Sequence, residues 1–265
     1  MIPNIENQIY PSLAIAVETE AQRHGYFVVF CNTKEDQTRE WEYVENLKNR
    51  FVDGFLFSTA LDGEESRAIL ELREQGYPTV CLMRAPEDAR DAFVSNNENG
   101  AYLGTRFLIE RGFSKIATVT GRSNLRLYRK RLAGYRRAME EQGLTVDPNL
   151  IWTGVEDGLE KAYRCTLEHL RAGHIPEAVF AQSDPLAFDT VRAIRSEGLR
   201  VPEDISVLGY DDVAFAASFS PPLTTVRQPL HQMGEAAARR LIAMIEGKTP
   251  AGQPETLFPP DIIVR

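Results

Sequence analysis

Two pairs of adjacent carboxylates, Asp211-Asp212 and Glu156-Asp157, are the first residues whose types and spacing could do chemistry. Either pair could serve acid–base work. Neighbouring carboxylates at a strand end more often divide their roles, one accepting from a ligand while the other caps a turn or stays solvated. The four histidines, His24, His169, His174 and His231, read as scattered, none with metal-ligand spacing to another histidine or a cysteine. Cys31, Cys81 and Cys165 are widely spaced among apolar neighbours and form no C-x-x-C. An odd count argues against a disulfide framework, so they read as small buried hydrophobes in a reducing cytoplasm. There is no G-x-S-x-G elbow, no G-x-x-x-x-G-K-[ST] loop and no G-x-G-x-x-G after a strand. An enzyme is therefore the weaker reading, and neither a cofactor nor a metal is expected.

The elements that must position these groups follow a regular beat. Short apolar strands are expected at 26–31 (YFVVFC), 54–58, 79–82, 116–120, 150–153, 178–181, 206–209 and 262–264. Amphipathic helices are expected after Pro11 and at 40–49, 64–75, 101–111, 131–142, 159–171, 186–197 and 234–246. Gly143 and Gly198 each follow a helix and read as left-handed C′ glycines. Continuous β-branched runs joined by amphipathic helices imply parallel sheets with both faces covered, so the fold class is α/β and doubly wound. Met1-Ile2-Pro3 reads as the tail of a strand that such a sheet needs in its middle, so a longer protein is expected.

Bulk properties narrow the function. The chain has 265 residues, of which 43% are hydrophobic and 26% charged, enough for a real core in one large domain or two lobes. No apolar run approaches the roughly 18 residues of a membrane span, and the first ten residues carry no signal-peptide pattern. A formal net charge of −8 offers no basic field for a nucleic-acid backbone, so any contact with DNA is expected to come from outside these residues.

Three stretches carry a resemblance: IPNIENQIYPSLA from Ile2; GAYLGTRFLIERG from Gly100, followed by KIATVTG and RLAGYRRAMEEQGL; and VFAQSDPLAF, GLRVPEDISVLGYDD and SPPLTTVRQPLHQMGEAA towards the end. Together, in this order, they resemble the effector-binding core of LacI/GalR-family transcription regulators, which is similar to periplasmic sugar-binding proteins. The resemblance implies two doubly wound lobes joined by three crossover strands, near 94–97, 225–228 and 258–261. It puts an N-terminal lobe at 1–94 plus 229–257 and a C-terminal lobe at 97–226 plus 260–265, with a small-molecule effector, sugar-like or otherwise polar, held between them. It also implies a cytoplasmic homodimer, with the helices after Pro11 and Pro185 in the interface. Operator DNA is then reached only through an N-terminal helix-turn-helix that is not among these residues. An exported sugar-binding protein of a transporter is the alternative with the same fold.

Carried over residue by residue, the resemblance gives the ligand-binding positions Tyr10, Arg84, Arg129, Arg131, Glu156, Ser183, Asp211 and Gln228. Tyr10 would stack on a ligand face or staple a helix start; Arg131, opening RLAGY, would offer its donor fork; Arg129 could instead face solvent. Asp211, first in GYDD, would accept from hydroxyl or N–H groups, and Asp212 would cap the segment at 213–219. Replacing Arg131 or Asp211 by alanine is expected to weaken ligand binding with little effect on folding. The chain departs from the family pattern at Met83-Arg84, where relatives place Asp-Arg, and at Gln182-Ser183-Asp184, where they end a strand in Asn-Asp. Leu125 and Leu127 stand where small polar groups are common, and Glu156 or Asp157 where some relatives carry an aromatic. These changes point to a ligand with an apolar face beside a hydroxyl-rich or cationic edge.

Overall fold

A computed structural model describes residues 1–48, 50, 52–59, 66–87, 89–153 and 160–265. Helix α1 (Ile9–Arg23) is followed by α2 (Gln37–Leu47), β1 (Phe55–Phe57), α3 (Arg67–Glu74), β2 (Thr79–Leu82) and β3 (Ala92–Ser95). Next come α4 (Asn97–Ile109), β4 (Ile116–Val119), α5 (Arg126–Glu141), β5 (Ile151–Trp152), α6 (Lys161–Arg171), β6 (Ala178–Ala181), α7 (Asp184–Ser196) and β7 (Ser206–Asp211). Helix α8 (Ala214–Ser218), β8 (Thr225–Arg227), α9 (Leu230–Ile245), β9 (Thr256–Phe258) and β10 (Asp261–Ile263) complete the order. The chain divides into two compact units, Met1–Ser95 with Pro229–Phe258 and Asn96–Gln228 with Pro259–Arg265. The α/β, parallel-sheet architecture expected from the alternating pattern is the observed one.

In the first unit the strands run β1-β2-β3-β9, all parallel. All four residues of β2 are buried, as a strand covered on both faces requires. Phe55, Phe57, Ile69, Leu72, Cys81 and Val94 share one core with the half-buried Trp41 and Tyr77. Helices α1 and α9 cross closely enough that a Cβ on Gly234 would lie 2.7 Å from Cβ of Ala16, so only glycine fits there. Buried Asp91 ties α9 to the turn before β9, accepting from Arg240 Nε at 2.9 Å and from the Gly252 amide at 2.6 Å.

The run at 26–31 departs from its expected form. It lies outside the sheet, with Phe27 93%, Val29 64% and Phe30 43% exposed rather than buried. Its contact with a strand-like neighbour is a parallel bridge between Ile2 and Asn32, where the Ile2 amide donates to the Cys31 carbonyl and the Thr33 amide to the Ile2 carbonyl, both at 2.9 Å. Among the described residues no strand lies alongside the exposed side chains at 27, 29 and 30.

In the second unit the order is β10-β8-β7-β6-β4-β5, parallel except for β10 at one edge. Ile116, Phe180, Leu208, Tyr210 and Val226 form its core with Tyr135, whose hydroxyl donates to the Ile116 carbonyl at 2.7 Å. Helices α4 and α5 meet at Gly134, where a Cβ would run into the Glu98 carbonyl. Helix α5 begins five residues before its expected start, because RLYRK contains no helix breaker. Gly143 and Gly198 have φ of 68° and 78°, the left-handed C′ conformation expected of them. No helix among the described residues is long and apolar enough to cross a membrane.

Candidate functional site

The parallel strands of the second unit all end on one edge, and the residues at those ends are polar. Thr120 follows β4, Gln182 and Ser183 follow β6, Asp211 ends β7 and Gln228 follows β8. The chain winds from β4 out to β5 and then back across to β6, so β4 and β6 flank the point where winding reverses. Open α/β sheets bind ligands at the carboxyl ends of the strands beside such a point. Arg131 enters from α5 and Asn97 from the first position of α4.

Arg131 is the centre of the group. It lies on the buried stripe of α5 with Tyr128, Tyr135 and Ala138, spaced three or four residues apart, and is 2% exposed. Its Nε donates to Asn97 Oδ1 at 2.8 Å, its Nη1 to the Gln182 carbonyl and its Nη2 to Asp211 Oδ1 at 3.5 Å. The guanidinium carbon stacks 3.6 Å from the centre of the Tyr210 ring, which sets the plane of the fork. Asp211 Oδ1 also accepts from Gln228 Nε2 at 2.7 Å. Asp211 and Asp212 carry φ of 117° and 55°, so two successive non-glycine residues sit in the sparsely populated left-handed half of backbone space. That turn aims the two carboxylates apart: Asp211 inward to Arg131 and Gln228, Asp212 to Arg227 Nε and Arg265 Nη2, each at 2.6 Å.

Asp212 therefore does not cap the following segment, contrary to expectation. Val213 precedes α8 without a side-chain cap, and the Val213 amide donates instead to Asp184 Oδ2 at 2.8 Å. The other oxygen of Asp184 accepts from Thr225 Oγ1 at 2.6 Å. Burial, then the nearby charge of Asp211, pushes the Asp184 carboxyl up to about 8.

The remaining sequence-derived positions fall differently. Ser183 caps α7, its hydroxyl accepting from the Leu186 amide at 3.4 Å. Arg129 is exposed and donates to the Ser123 carbonyl at 3.0 Å, away from Arg131. Two residues along a helix are about 200° apart around its axis, so the two arginines point to opposite sides. Glu156 and Asp157 lie outside the described residues. In the first unit Tyr10 is buried in α1 with the Arg84 guanidinium carbon 5.9 Å from its ring centre. Arg84 Nη1 holds both oxygens of Glu35 at 3.0 Å. Asn97, Gln182, Tyr210 and Asp184 were not singled out as site residues; the polar run SNNENG after a strand was the one available signal for Asn97.

The histidines are not all scattered. The turn after α6 brings His174 back so that its Nδ1 lies 3.2 Å from Nδ1 of His169, whose ring stacks on Trp152. Among the described residues no group of three or more His, Cys, Asp or Glu is placed to hold a metal. Cys31 and Cys81 are buried, and burial pushes the Cys81 thiol up to about 11.

With this geometry in place, likeness to known proteins is informative. A family described as a periplasmic binding protein-like domain matches residues 105–265. The chain is 34% identical to the HTH-type transcriptional repressor PurR of Vibrio atlanticus (strain LGP32), over 94% of its own length and 74% of that protein. It is 32% identical to the HTH-type transcriptional regulator DegA of Bacillus subtilis (strain 168), over 99% and 78%. Among solved structures, the transcriptional regulator CelR in complex with cellobiose aligns with a TM-score of 0.89 and 29% identity, over 97% of this chain and 78% of that one.

Proposed function

The chain belongs to the LacI/GalR family of bacterial transcription regulators, and from that membership we propose how its core reads a small molecule. It is the effector-binding core of such a regulator. Its curated relatives regulate transcription; the same role here, with no catalysis in the core, is the function the site supports.

The observation that carries this reading is the convergence of Arg131, Asp211, Gln228 and Asn97 at the carboxyl ends of the strands of the second unit. A guanidinium fixed by Tyr210 and Asn97 offers N–H donors beside a carboxylate that accepts. Neighbouring hydroxyls of a sugar satisfy both at once, donating to Asp211 and accepting from Arg131. The effector is accordingly a carbohydrate-like metabolite, of the broad class of the cellobiose held by CelR.

The regulator acts in the cytoplasm as a homodimer, with α1 and α7 in an isologous interface, and touches operator DNA through a helix-turn-helix outside these 265 residues. A ligand shifts such an equilibrium only by its different affinity for two conformations, and about 1–3 kcal/mol of coupling changes operator affinity 5–150-fold. The test is an electrophoretic mobility shift with the intact helix-turn-helix protein, with and without sugar. A specific complex whose affinity changes at least about fivefold with one sugar is expected; sequence-specific binding that no sugar alters would refute the reading.

A further inference from the structure

Two histidines that the effector reading does not use meet at the end of α6, in the second unit. Helix α6 closes on Ala172, and Gly173 takes the left-handed conformation with φ of 84°. The Gly173 amide donates to the Leu170 carbonyl and the His174 amide to the His169 carbonyl, both at 3.0 Å. This double closure is a Schellman motif, and the two residues that its wider hydrogen bond joins commonly make an apolar side-chain contact. Here both are histidines, and their Nδ1 atoms stand 3.2 Å apart. The ring centres lie 5.5 Å apart, which is that separation plus one ring radius at each end, so the two nitrogens point straight at one another. A straight contact of this kind holds one proton between a donor and an acceptor. A shared metal ion would instead draw both lone pairs to a point off that line.

We propose that His169 and His174 form a proton-operated clasp on the end of α6, holding one proton between their Nδ1 atoms and releasing the turn when both rings become charged. In the neutral pair one Nδ1–H donates to the bare Nδ1 of the other ring. The first added proton goes to the outer Nε2 of the donor ring and leaves that bond in place, now charge-assisted. The second puts hydrogens on both Nδ1 atoms, so two donors and two positive charges face each other. One charge is well placed, because His169 stacks on Trp152 and both rings lie at a helix C-terminus. Burial, then the charge of His174, holds His169 below the usual histidine range, against the opposite pull of Glu168.

The charged groups of the surrounding elements are engaged elsewhere. Arg171 binds Glu197 at the end of α7, and Arg192 of α7 binds Asp189 and reaches Glu160. Asp147, ahead of β5, accepts from the Asn149 amide, and Glu177 beyond the turn accepts from the Ser114 and Lys115 amides. Arg164 and Arg195 are exposed, and burial raises the Cys165 thiol, which keeps it neutral. The fold therefore favours the less protonated pair. Its contribution to stability is complete above the ordinary histidine range and is lost as pH falls below it. The clasp stands apart from the effector reading, since the turn leads into the amino end of β6 whereas Gln182 follows its carboxyl end.

Nitrogen NMR of the histidine rings in the full chain, from pH about 8 to about 5, tests the clasp, with His24 and His231 as internal references. His169 and His174 are expected to titrate as a coupled pair whose last proton enters at lower pH than at His24 or His231. Over the same interval the protection of the His174 amide, corrected for intrinsic exchange, is expected to fall at least about tenfold. His174→Leu, which restores the usual apolar contact of the motif, is expected to keep the amide at that position equally protected throughout. Independent titration of the two rings at the reference pKa would overturn the proposal. So would protection that is flat in the parent, or that falls equally in the parent and in His174→Leu.

Discussion

Arg131 Nη2 and Asp211 Oδ1 stand 3.5 Å apart with both side chains all but excluded from solvent, 2% and 3% exposed. At that length the pair is held by its surroundings as much as by its own attraction: Tyr210 stacks under the guanidinium, Asn97 fixes its Nε and Gln228 donates to the carboxylate. The arrangement is a set of charged groups held in place by the fold, which would reduce the ordering cost of binding the proposed effector. Because the proposed effector contacts are also buried partners of one another, replacing either is expected to lower stability as well as binding.

Replacing Arg131 by alanine removes the cation beside buried Asp211 and the Nε–H donor to Asn97 Oδ1. A loss of about 3–5 kcal/mol in unfolding free energy is expected, read from urea titrations. A loss below about 1 kcal/mol would mean that the pair is solvated in solution.

Asp184 gives the protein a pH dependence of definite sign. Its folded-state pKa of about 8 lies above the unfolded value, so the stability it contributes is complete below pH about 4 and is lost as pH rises through about 8. Asp184→Asn keeps an acceptor for the Val213 amide and a polar partner for Thr225. The variant is expected to show a flatter melting temperature between pH 5 and about 8.5, with the larger gain over the parent at the alkaline end. Parallel curves would contradict the assignment.

Gly134→Ala drives a methyl into the Glu98 carbonyl across the α4–α5 contact. Overpacking between two helices of this kind costs about 1–3 kcal/mol, measurable by thermal or chemical denaturation.

The thiols should separate by burial. Cys31 and Cys81 are buried and half-buried Cys165 is the accessible one, so an aromatic disulfide reagent at pH 8 is expected to modify a single cysteine rapidly in the native protein and all three once unfolded. Fast modification of Cys81 would show that the first-unit core opens.

The features legible in sequence were the local ones. Strand 178–181, the C′ glycines Gly143 and Gly198 and the parallel beat of the chain follow from apolar runs and turn chemistry. Arg131, Asp211 and Gln228, named from the family motifs, are the ones the structure brings together. What escaped the sequence depends on geometry across elements. Starting α5 at 131 rather than 126 hid the helical phase that turns Arg129 outward. Asn97 and Tyr210 join the site only because the start of α4 and the end of β7 lie beside α5. The meeting of His169 with His174 needs the turn after α6. The run at 26–31 has the composition of a buried strand, and its exposure follows from what flanks it rather than from its own residues.

The most direct measurement is a calorimetric titration of this chain with the sugar that most raises its melting temperature, repeated on Asp211→Asn, which keeps the shape but not the charge. At 100 times its dissociation constant a one-site ligand adds about 2.7 kcal/mol to stability, enough to find it in a thermal screen. One-to-one binding weakened by roughly 1.5–3 kcal/mol in the variant is the predicted result. Equal binding by both proteins would contradict the placement of the effector site at Arg131 and Asp211.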